Sequence, residues 1–572
     1  MVRYMTEPTA TAASDDPHAV PAGTAPGPED AVAAVAAGPA DRPTGATPPV
    51  TVTADPRRWW TLGVLCLSVV LIAVDTTILN VALPTLGRTI ATSTGQLQWI
   101  VDAYTVVFAG LLLTCGSIGD RSGRRRALAA GLVIFALGCL ASALVDTAGQ
   151  LIAMRALTGV GAALIFPATL SIITNVFRDP TERQRAIAVW ASTAGIGIAL
   201  GPLTGGVLLE HFYWGSIFLV NVPVVAIALV GVWLAVPESR DPVRRRLDPL
   251  GAGLSILGLG TLVYGVIRGG SDGWIDGVTL GALAAGVVLI ALFVVHEIRS
   301  PAPMLDVRVF RNPRFTGASV AVSAVYFCLF GTIFLVTQHM QVLLGYGTLA
   351  AGIRTLPVAI VLIIVANLTP RIVARMGPKV PIVGGLLVVA VSQLARIAST
   401  PDTGYPLIFI GQVIFAAGMG LLVAPATASI MGSLPPERAG VGSAMNDTTR
   451  QVGGALGVAV MGSVAAATYR NALDDRLAPV GLPARALATA RESLGSALHV
   501  ASGSGGGRTS QLVSDAGRAS FITGLRWASL VAIVVALVGA ATAWRLLPSG
   551  RGIAADEGPG VDARDPAHQA AA

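Results

Sequence analysis

The chain has 572 residues, of which 53% are hydrophobic and only 12% are charged, and its formal net charge is +7. A soluble domain carries about 25% charged residues because its surface faces water, so this composition predicts an exterior that faces lipid. The positive charge does not indicate a nucleic-acid partner, because the basic residues lie in short loops between apolar segments rather than on one face of a soluble fold.

The first 56 residues are rich in Ala, Pro, Thr, Gly and Asp and show no apolar periodicity. They lack the short apolar core of a signal peptide. We therefore predict a disordered cytoplasmic tail at 1–56, and a second one at 548–572. The membrane part begins with two arginines and two tryptophans at 57–60, an order that is typical of the inner membrane interface.

Apolar segments then follow one another along the chain, each close to the length of roughly 20 residues that a bilayer requires. They predict an all-α polytopic membrane protein with about fourteen transmembrane helices. The predicted spans are 60–83, 99–118, 127–145, 150–176, 187–209, 216–236, 250–268, 279–297, 315–343, 350–370, 380–398, 405–431, 440–467 and 524–547.

Arginines concentrate in alternate loops, those after the second, fourth, sixth and eighth spans. Because cations favour the cytoplasmic side, both termini are predicted to lie in the cytoplasm. The segment 468–523, between the last two spans, is long and contains a Gly/Ser run at 502–507. The segment is predicted to be a long external loop whose middle, 502–507, is flexible.

The four cysteines each lie inside an apolar segment, far from any metal-binding or disulfide-type spacing. The sequence contains no phosphate loop, zinc motif or nucleophile elbow. We therefore expect no metal site and no cofactor, and neither an enzyme nor an ATP-driven pump.

Among the ionisable residues inside predicted spans, three lie in the first, second and fourth spans; a charge at the centre of such a helix costs roughly 2.5 to 3.5 kcal/mol on insertion scales. Asp75, in the first span, indicates either a proton-binding site or a hydrogen-bonded structural acid. Arg155, in the fourth span, requires a carboxylate or carbonyl partner, in a functional or a purely structural pair. Asp102 lies about one turn inside the second span, so it is either a further proton site or an interfacial acid.

The loop between the second and third spans combines one acid with four arginines and several glycines. Such a loop can form an ion-pair cluster that locks one conformation, or it can simply carry the charges that set topology. The candidate gate residues are Gly116, Asp120, Arg121, Gly123, Arg124 and Arg125.

The fifth span contains small residues and a proline, which allow close helix contact and bending or serve packing alone. These residues are Gly197, Gly201, Pro202, Gly205 and Gly206.

Polar residues on single helix faces mark either a cavity lining or contacts between helices. Gln338 and Gln341 are three residues apart and share a face, as do Asn446 and Arg450, which are four apart.

Taken together, these motifs resemble those of the major facilitator superfamily. The arginine-rich loop resembles the family's loop between helices two and three. The segments 151–161, 197–206 and 74–84 resemble the helix-four motif of the drug:proton antiporters, their helix-five motif, and the helix-one signature of the fourteen-helix branch. Further similarity lies at 217–223, 337–341 and 440–454, and the resemblance covers roughly residues 57–547.

The resemblance implies a multidrug exporter of the EmrB/QacA type, with two six-helix bundles and two inserted helices. The bundles are expected at 57–236 and 315–547, and the insert with its cytoplasmic linkers at 237–314. It further implies a monomer in the cytoplasmic membrane that exchanges protons for hydrophobic drugs or antibiotics, cationic ones among them. Asp75, Asp102 and Arg155 are then expected to couple the proton.

The resemblance also implies a central substrate cavity, and two departures concern it. His339 stands where relatives usually carry an aromatic residue, and the tenth span has no acid, with Arg354 near its outer end. An exporter of an endogenous secondary metabolite or lipid and a non-transporting membrane sensor stay open as alternatives. The candidate cavity residues are Asn80, Gln338, His339, Gln341, Asn446 and Arg450.

Overall fold

A computed structural model describes most of the chain, and the predicted tails lie outside its described residues except for Pro548. All described residues belong to the compact unit that begins at Ala54. Their secondary structure is helical, with no strand among them, which confirms the predicted all-helical fold. The described residues are 57–90, 93–240, 248–301, 303, 305–434, 439–503 and 507–548.

The first part of the chain forms seven helices. Polar side chains at the N-caps start several of them: Ser93 and Gln96 form a capping box at the second helix, and Asp179 accepts the amide of Glu182 at the fifth. The helices are α1 (Arg58–Thr89), α2 (Thr94–Ser122), α3 (Arg124–Ser142), α4 (Ala148–Val176), α5 (Pro180–His211), α6 (Ser216–Leu219) and α7 (Asn221–Ala235).

The predicted insert is a pair of long helices, α8 (Pro249–Asp272) and α9 (Gly277–Arg299). An aspartate caps each of them, Asp248 at α8 and Asp276 at α9. The two helices begin and end within a few residues of the spans predicted at 250–268 and 279–297.

The remaining chain forms nine further helices. The first of them ends in a π-helical turn at His339–Leu343, which continues the helix without a break. The helices are α10 (Pro313–Gln338), α11 (Thr348–Ile353), α12 (Leu356–Met376), α13 (Lys379–Ile397), α14 (Tyr405–Met431), α15 (Ala439–Leu477), α16 (Ala484–Ala490), α17 (Leu494–Gly503) and α18 (Gly507–Leu546).

Thirteen segments of the described chain are long and apolar enough to cross a membrane. They match thirteen of the predicted spans in order. The remaining predicted span, 187–209, lies in α5, a helix of 32 residues whose side chains are described only in part.

The prediction of a long loop at 468–523 is wrong for most of that segment. α15 continues to Leu477, α16 and α17 follow, and α18 starts at Gly507, well before the predicted span. The Tyr469 hydroxyl donates to the carbonyls of Ala490 and Ser493 and so ties α15 to the α16–α17 connection. Composition misled the prediction because Ala-rich polar sequence also forms helix when it packs on a neighbour. Residues 504–506, within the Gly/Ser run, lie outside the described residues.

Helices α1–α7 and helices α10–α18 each pack mainly among themselves. In the first set α2 and α3 pack on α4, and α1 packs on α5 and α7; in the second, α10 packs on α15, and α13 packs on α14 and α18. The two sets meet where α2 contacts α15 and where α5 contacts α11. The described hydrogen bonds between the sets lie near the end at which α1 finishes and α2 begins, which we call the α1–α2 end.

The helical nature of residues 484–503 can be tested by hydrogen exchange. Their amides should be protected in the wild type, and Tyr469→Phe should speed their exchange, because it removes contacts worth about 1 kcal/mol each. Tyr213→Phe, which removes a hydroxyl that bonds Ala143 instead, should leave them unchanged. Immediate exchange of these amides in the wild type would restore the long-loop prediction.

Candidate functional site

A buried carboxylate, Asp75, joins three helices in the first set. It lies in the middle of α1 and has no exposed surface. Its Oδ2 accepts a hydrogen bond from Arg155 Nη1 of α4 at 2.7 Å, and its Oδ1 accepts one from Asn221 Nδ2 of α7 at 3.1 Å. Both carboxylate oxygens are therefore satisfied, and α1, α4 and α7 meet at one charged group.

The guanidinium of Arg155 is only 1% exposed and has three kinds of partner. Besides Asp75, its Nε donates to the Ile100 carbonyl of α2 at 3.3 Å. Its Cζ lies 4.5 Å from the ring centroid of Tyr104, also on α2, in a cation–π contact. Arg155 thus finds both the carboxylate and the carbonyl partner that its burial requires.

The pair is a strong constraint because both charges are out of water. Removing one partner of a buried ion pair typically costs about 3 to 5 kcal/mol, since the remaining charge is left uncompensated.

The Asn221 amide was not among the predicted site residues. Its signal in the sequence is a lone amide within the apolar segment 216–236.

Asp102 is also fully buried, but its environment is the opposite of that of Asp75. It lies eight residues after the start of α2 and has no exposed surface. Neither carboxyl oxygen has a hydrogen-bond partner among the described residues. An ionised carboxylate without partners is far more costly to bury than a neutral carboxyl group, so this environment favours the protonated form.

The predicted gate loop forms an ion-pair cluster. Asp120 accepts a hydrogen bond from Arg124 Nε at 2.8 Å, and Arg124 Nη1 donates to the Ser171 carbonyl of α4 at 3.3 Å. Arg121 is exposed, and Gly116 packs beside Pro167 of α4. The cluster therefore ties the α2–α3 connection to α4.

A second acid, Glu238, completes this cluster and was missed by the prediction. Its side chain accepts the Arg125 amide at 3.3 Å and pairs with Arg126 at 3.5 Å. Gly123, at φ +116°, fits here because a Cβ atom would lie 2.6 Å from Glu238 Oε1. Arg125 also lies over the Trp233 ring, at 4.9 Å. The signal was an acid directly after the sixth span, on the same predicted side as the loop.

The small residues of α5 allow it to pack tightly on α1 beside Asp75. A Cβ atom at Gly201 would overlap Thr77, and one at Gly205 would lie 2.8 Å from the Ile78 side chain. Thr77 Oγ1 donates to the Gly197 carbonyl at 3.3 Å. The contact is close enough that α1 and α5 must move together or repack.

The end of the same motif meets the second set of helices. A Cβ atom at Gly206 would lie 2.6 Å from the Leu349 Cα of α11, and Thr348 Oγ1 donates to the Gly206 carbonyl at 3.2 Å. Gly352 packs directly against the Pro202 carbonyl. The motif therefore spans both the α1 contact and the junction between the two sets.

The predicted cavity residues on α1 and α10 do not converge on one cavity. Asn80 Nδ2 and Gln338 Nε2 donate to carbonyls of their own helices. Gln341 Nε2 donates to the Val81 carbonyl of α1 at 2.9 Å, which joins the two helices. His339 is buried against Phe521 of α18. A small cavity next to Gln338 is lined by Thr94, Phe334, Tyr469, Ser493 and Phe521, among others.

Asn446 and Arg450 lie in a separate polar cluster on α15. Arg450 Nη2 donates to Thr427 Oγ1 of α14 at 2.9 Å, and its Nη1 lies 3.6 Å from Asp447 Oδ1. The amide oxygen of Asn446, in its better orientation, accepts from Arg450 Nε at 3.3 Å. Asp447 is buried and was not a predicted site residue, although it stands next to Asn446 in the sequence.

The family model of the Major Facilitator Superfamily matches residues 65–458. The chain is 38% identical to the multidrug efflux pump LfrA of Mycolicibacterium smegmatis, over 86% of this chain and 97% of that protein. It is 34% identical to the methyl viologen resistance protein SmvA of Salmonella typhimurium, over 83% and 95%. It is 31% identical to a tetracenomycin C resistance and export protein of Streptomyces glaucescens, over 85% and 91%.

Among solved structures, the fold is similar to that of a bacterial homologue of the human lysosomal transporter Spinster, crystallised in an inward-facing, unoccupied conformation. The TM-score is 0.59 at 18% identity, over 86% of this chain and 99% of that one. The likeness covers nearly the whole described membrane part.

A double-mutant cycle tests the energetic coupling of Asp75 and Arg155. Asp75→Asn and Arg155→Gln should each lower the thermal midpoint of the purified protein, because each leaves the other charge unpaired. The double variant should be more stable than the sum of the two losses predicts, by about 1 to 3 kcal/mol. Additive losses would mean that the two charges do not interact energetically, whatever their distance.

Proposed function

Because this chain belongs to the Major Facilitator Superfamily, whose members are secondary transporters rather than enzymes, we propose that it exports hydrophobic drugs or antibiotics in exchange for protons. The relatives named above are an efflux pump, a resistance protein and a resistance and export protein, which supports small organic molecules as the substrates. The protein is a multi-pass membrane protein, and in this proposal both of its termini are cytoplasmic.

The observation that carries the proton coupling is the buried contact of Asp75 with Arg155, at 2.7 Å. A carboxylate inside a membrane-spanning helix is stable when it is paired or protonated, and this group can alternate between the two. Protonation of Asp75 cancels its charge and leaves Arg155 with the Ile100 carbonyl and the Tyr104 ring on α2. The proton thus changes how α1 and α4 are held together.

The change at Asp75 has a direct route to the junction of the two helix sets. α1 packs on α5 through Thr77 and Ile78, two and three residues beyond Asp75. Farther along α1, the Val81 carbonyl accepts the Gln341 side chain of the second set. A shift of α1 therefore acts on both contacts, which is how proton binding biases the access equilibrium in this proposal.

Asp102 is the second proton carrier in this proposal. Its unpartnered burial favours the neutral carboxyl group, while Asp75 has two polar partners for its charge. In this proposal the substrate-free protein exchanges between a form with Asp75 protonated and the form described here, in which Asp75 is ionised and Asp102 keeps its proton. Such a division of roles between two carboxyl groups follows from their environments alone.

The proposed conformation is open toward the cytoplasm. With the N-terminus inside, the α1–α2 end is the external end, and the hydrogen bonds between the two sets close it. Substrate is proposed to bind between the sets near the midplane, and the two bundles, 57–236 and 315–547, rock around it. The insert α8–α9 moves with them, and the protein acts as a monomer.

Two alternatives predict different results in one experiment. An exporter of an endogenous secondary metabolite or lipid would move its own solute but not a panel of unrelated drugs. A membrane sensor on this scaffold would move none. Flux into proteoliposomes of a panel that contains diverse drugs as well as secondary metabolites and lipids, with and without a pH gradient, separates the three.

Asp75→Asn should abolish proton-driven uphill export. The amide has nearly the shape of the protonated carboxyl group and cannot exchange a proton, so binding and downhill exchange should survive. The measurement is accumulation of tetraphenylphosphonium, a hydrophobic monocation, in proteoliposomes with an imposed pH gradient. The exposed acid Asp146 supplies the control, since Asp146→Asn should transport like the wild type.

If the Asp75→Asn protein concentrates the cation at the wild-type rate, Asp75 is a structural acid. Asp102→Asn would then be the next variant to measure. If neither the wild type nor any variant transports the cation, the result points to a different substrate class rather than to a different proton site.

Asp120→Asn should slow transport without unfolding the protein. The partly buried Asp120–Arg124 pair joins α2 to α3, and ion pairs near a protein surface contribute only about 0.2 to 1 kcal/mol to stability, so the thermal midpoint should move little. If the cluster stabilises one conformation, its loss should slow export about fivefold, the effect of ~1 kcal/mol of coupling. Asp402→Asn, at an exposed acid, is the control. Wild-type turnover in Asp120→Asn would leave the loop with a topological role only.

A further inference from the structure

The two sets of helices are joined by a buried glutamine side chain on α2. Gln98 is 1% exposed, and its Nε2 donates to the Val458 carbonyl at 3.1 Å, to the Ala459 carbonyl at 3.0 Å and to Ser463 Oγ at 3.3 Å, all on α15. α2 belongs to the first set and α15 to the second. A single amide therefore spans the seam between them near the α1–α2 end.

The seam is shaped around this side chain. A Cβ atom at Gly462 would lie 2.9 Å from Gln98 Cδ and 3.2 Å from the Phe334 ring, so only glycine leaves room for the amide. α8 packs closely on the same turn of α15 from the opposite side, because a Cβ atom at Gly270 would lie 2.6 Å from Ser463 Cα. The turn of α15 that accepts the Gln98 amide is thus held by two helices.

The rest of the contact between α2 and α15 is largely apolar, and the buried amide of Gln341 bonds the Val81 carbonyl of α1 instead. Val106 and Ala109 of α2 pack with α8 and with Ala455 and Ala459 of α15 in one buried cluster. Apolar surfaces can slide and separate in many geometries. A buried amide, in contrast, is destabilising unless its N–H groups meet acceptors in the right geometry. The directional bonds of Gln98 therefore select one closed arrangement of the seam.

We propose that Gln98 is the positioning residue that holds the α1–α2 end closed, so that its bonds to α15 must break before the transporter opens at that end. It binds neither proton nor substrate in this role. Loss of its three contacts destabilises the closed arrangement and leaves the open one, in which the side chain meets water, almost unchanged. The role goes beyond the proposed function because it gives one of the side chains that bond across this end a decisive part in closing it.

The test measures the distance across this end with spin labels. Thr89→Cys, at the end of α1, and Asp475→Cys, near the end of α15, provide two exposed label sites, and the four native cysteines are buried. Double electron–electron resonance is recorded in nanodiscs without substrate or pH gradient. Gln98→Met keeps the length of the side chain and removes its donors. It should raise the ratio of long to short distances about tenfold, equivalent to ~1.4 kcal/mol.

A second variant keeps the test valid if Gln98→Met does not fold. Gly462→Ala keeps Gln98 but places a methyl group in its space, so it should shift the distances in the same direction. Adding Gln98→Met to Gly462→Ala should then produce no further shift. Asn367→Leu is the matched control, because the Asn367 amide bonds only Ile363 of its own helix among the described contacts.

Unchanged distances in both Gln98→Met and Gly462→Ala would overturn the proposal, and so would an equal shift in Asn367→Leu. If Gln98→Met does not fold, Gly462→Ala decides alone. The measurement requires neither transport nor protons. A negative result would therefore disprove the role of Gln98 without contradicting the proposed drug:proton exchange. Proton-driven export can persist with another residue closing this end.

Discussion

Two opposite charges, on Asp75 and Arg155, lie 2.7 Å apart inside the membrane-spanning part of the chain, and both are almost completely buried. Each charge can remain there only because the other is present. Asn221 and the Ile100 carbonyl supply the remaining hydrogen bonds. Four helices of the first set, α1, α2, α4 and α7, therefore share one electrostatic constraint, and a proton is the smallest addition that can remove it.

Small residues determine how far a change at this pair extends. Gly201 and Gly205 bring α5 so close to α1 that even a methyl group would not fit, and Gly206 makes the same kind of contact with α11. Interfaces this tight repack in discrete steps rather than deforming gradually. Charge at the centre of α1 and closure at the α1–α2 end are thus linked through backbone contacts, with Gln98 and Gln341 as the polar bonds across the junction.

Much of this could be predicted from the sequence. The spans follow from apolar length, and Asp75 and Arg155 stand out because charge is rare in such segments. The pairing of these two residues could not be derived from one chain without a resemblance, because it depends on how α1 and α4 cross. Asn221, Glu238 and Asp447 were missed for the same reason: an amide or acid in or near a helix looks ordinary until its partner is placed. The helices at 484–503 were missed because their stability comes from contacts such as those of Tyr469 rather than from periodicity.

The proposal that Asp75 carries the exchanged proton requires that the substrate binds the form in which Asp75 is ionised. It is tested most directly by proton release on binding, measured with a pH indicator in weakly buffered detergent solution as tetraphenylphosphonium is added to the purified protein. The account predicts that the wild type releases protons in proportion to the cation bound and that Asp75→Asn binds the cation while releasing clearly fewer. Equal proton release from both proteins at equal binding would contradict it.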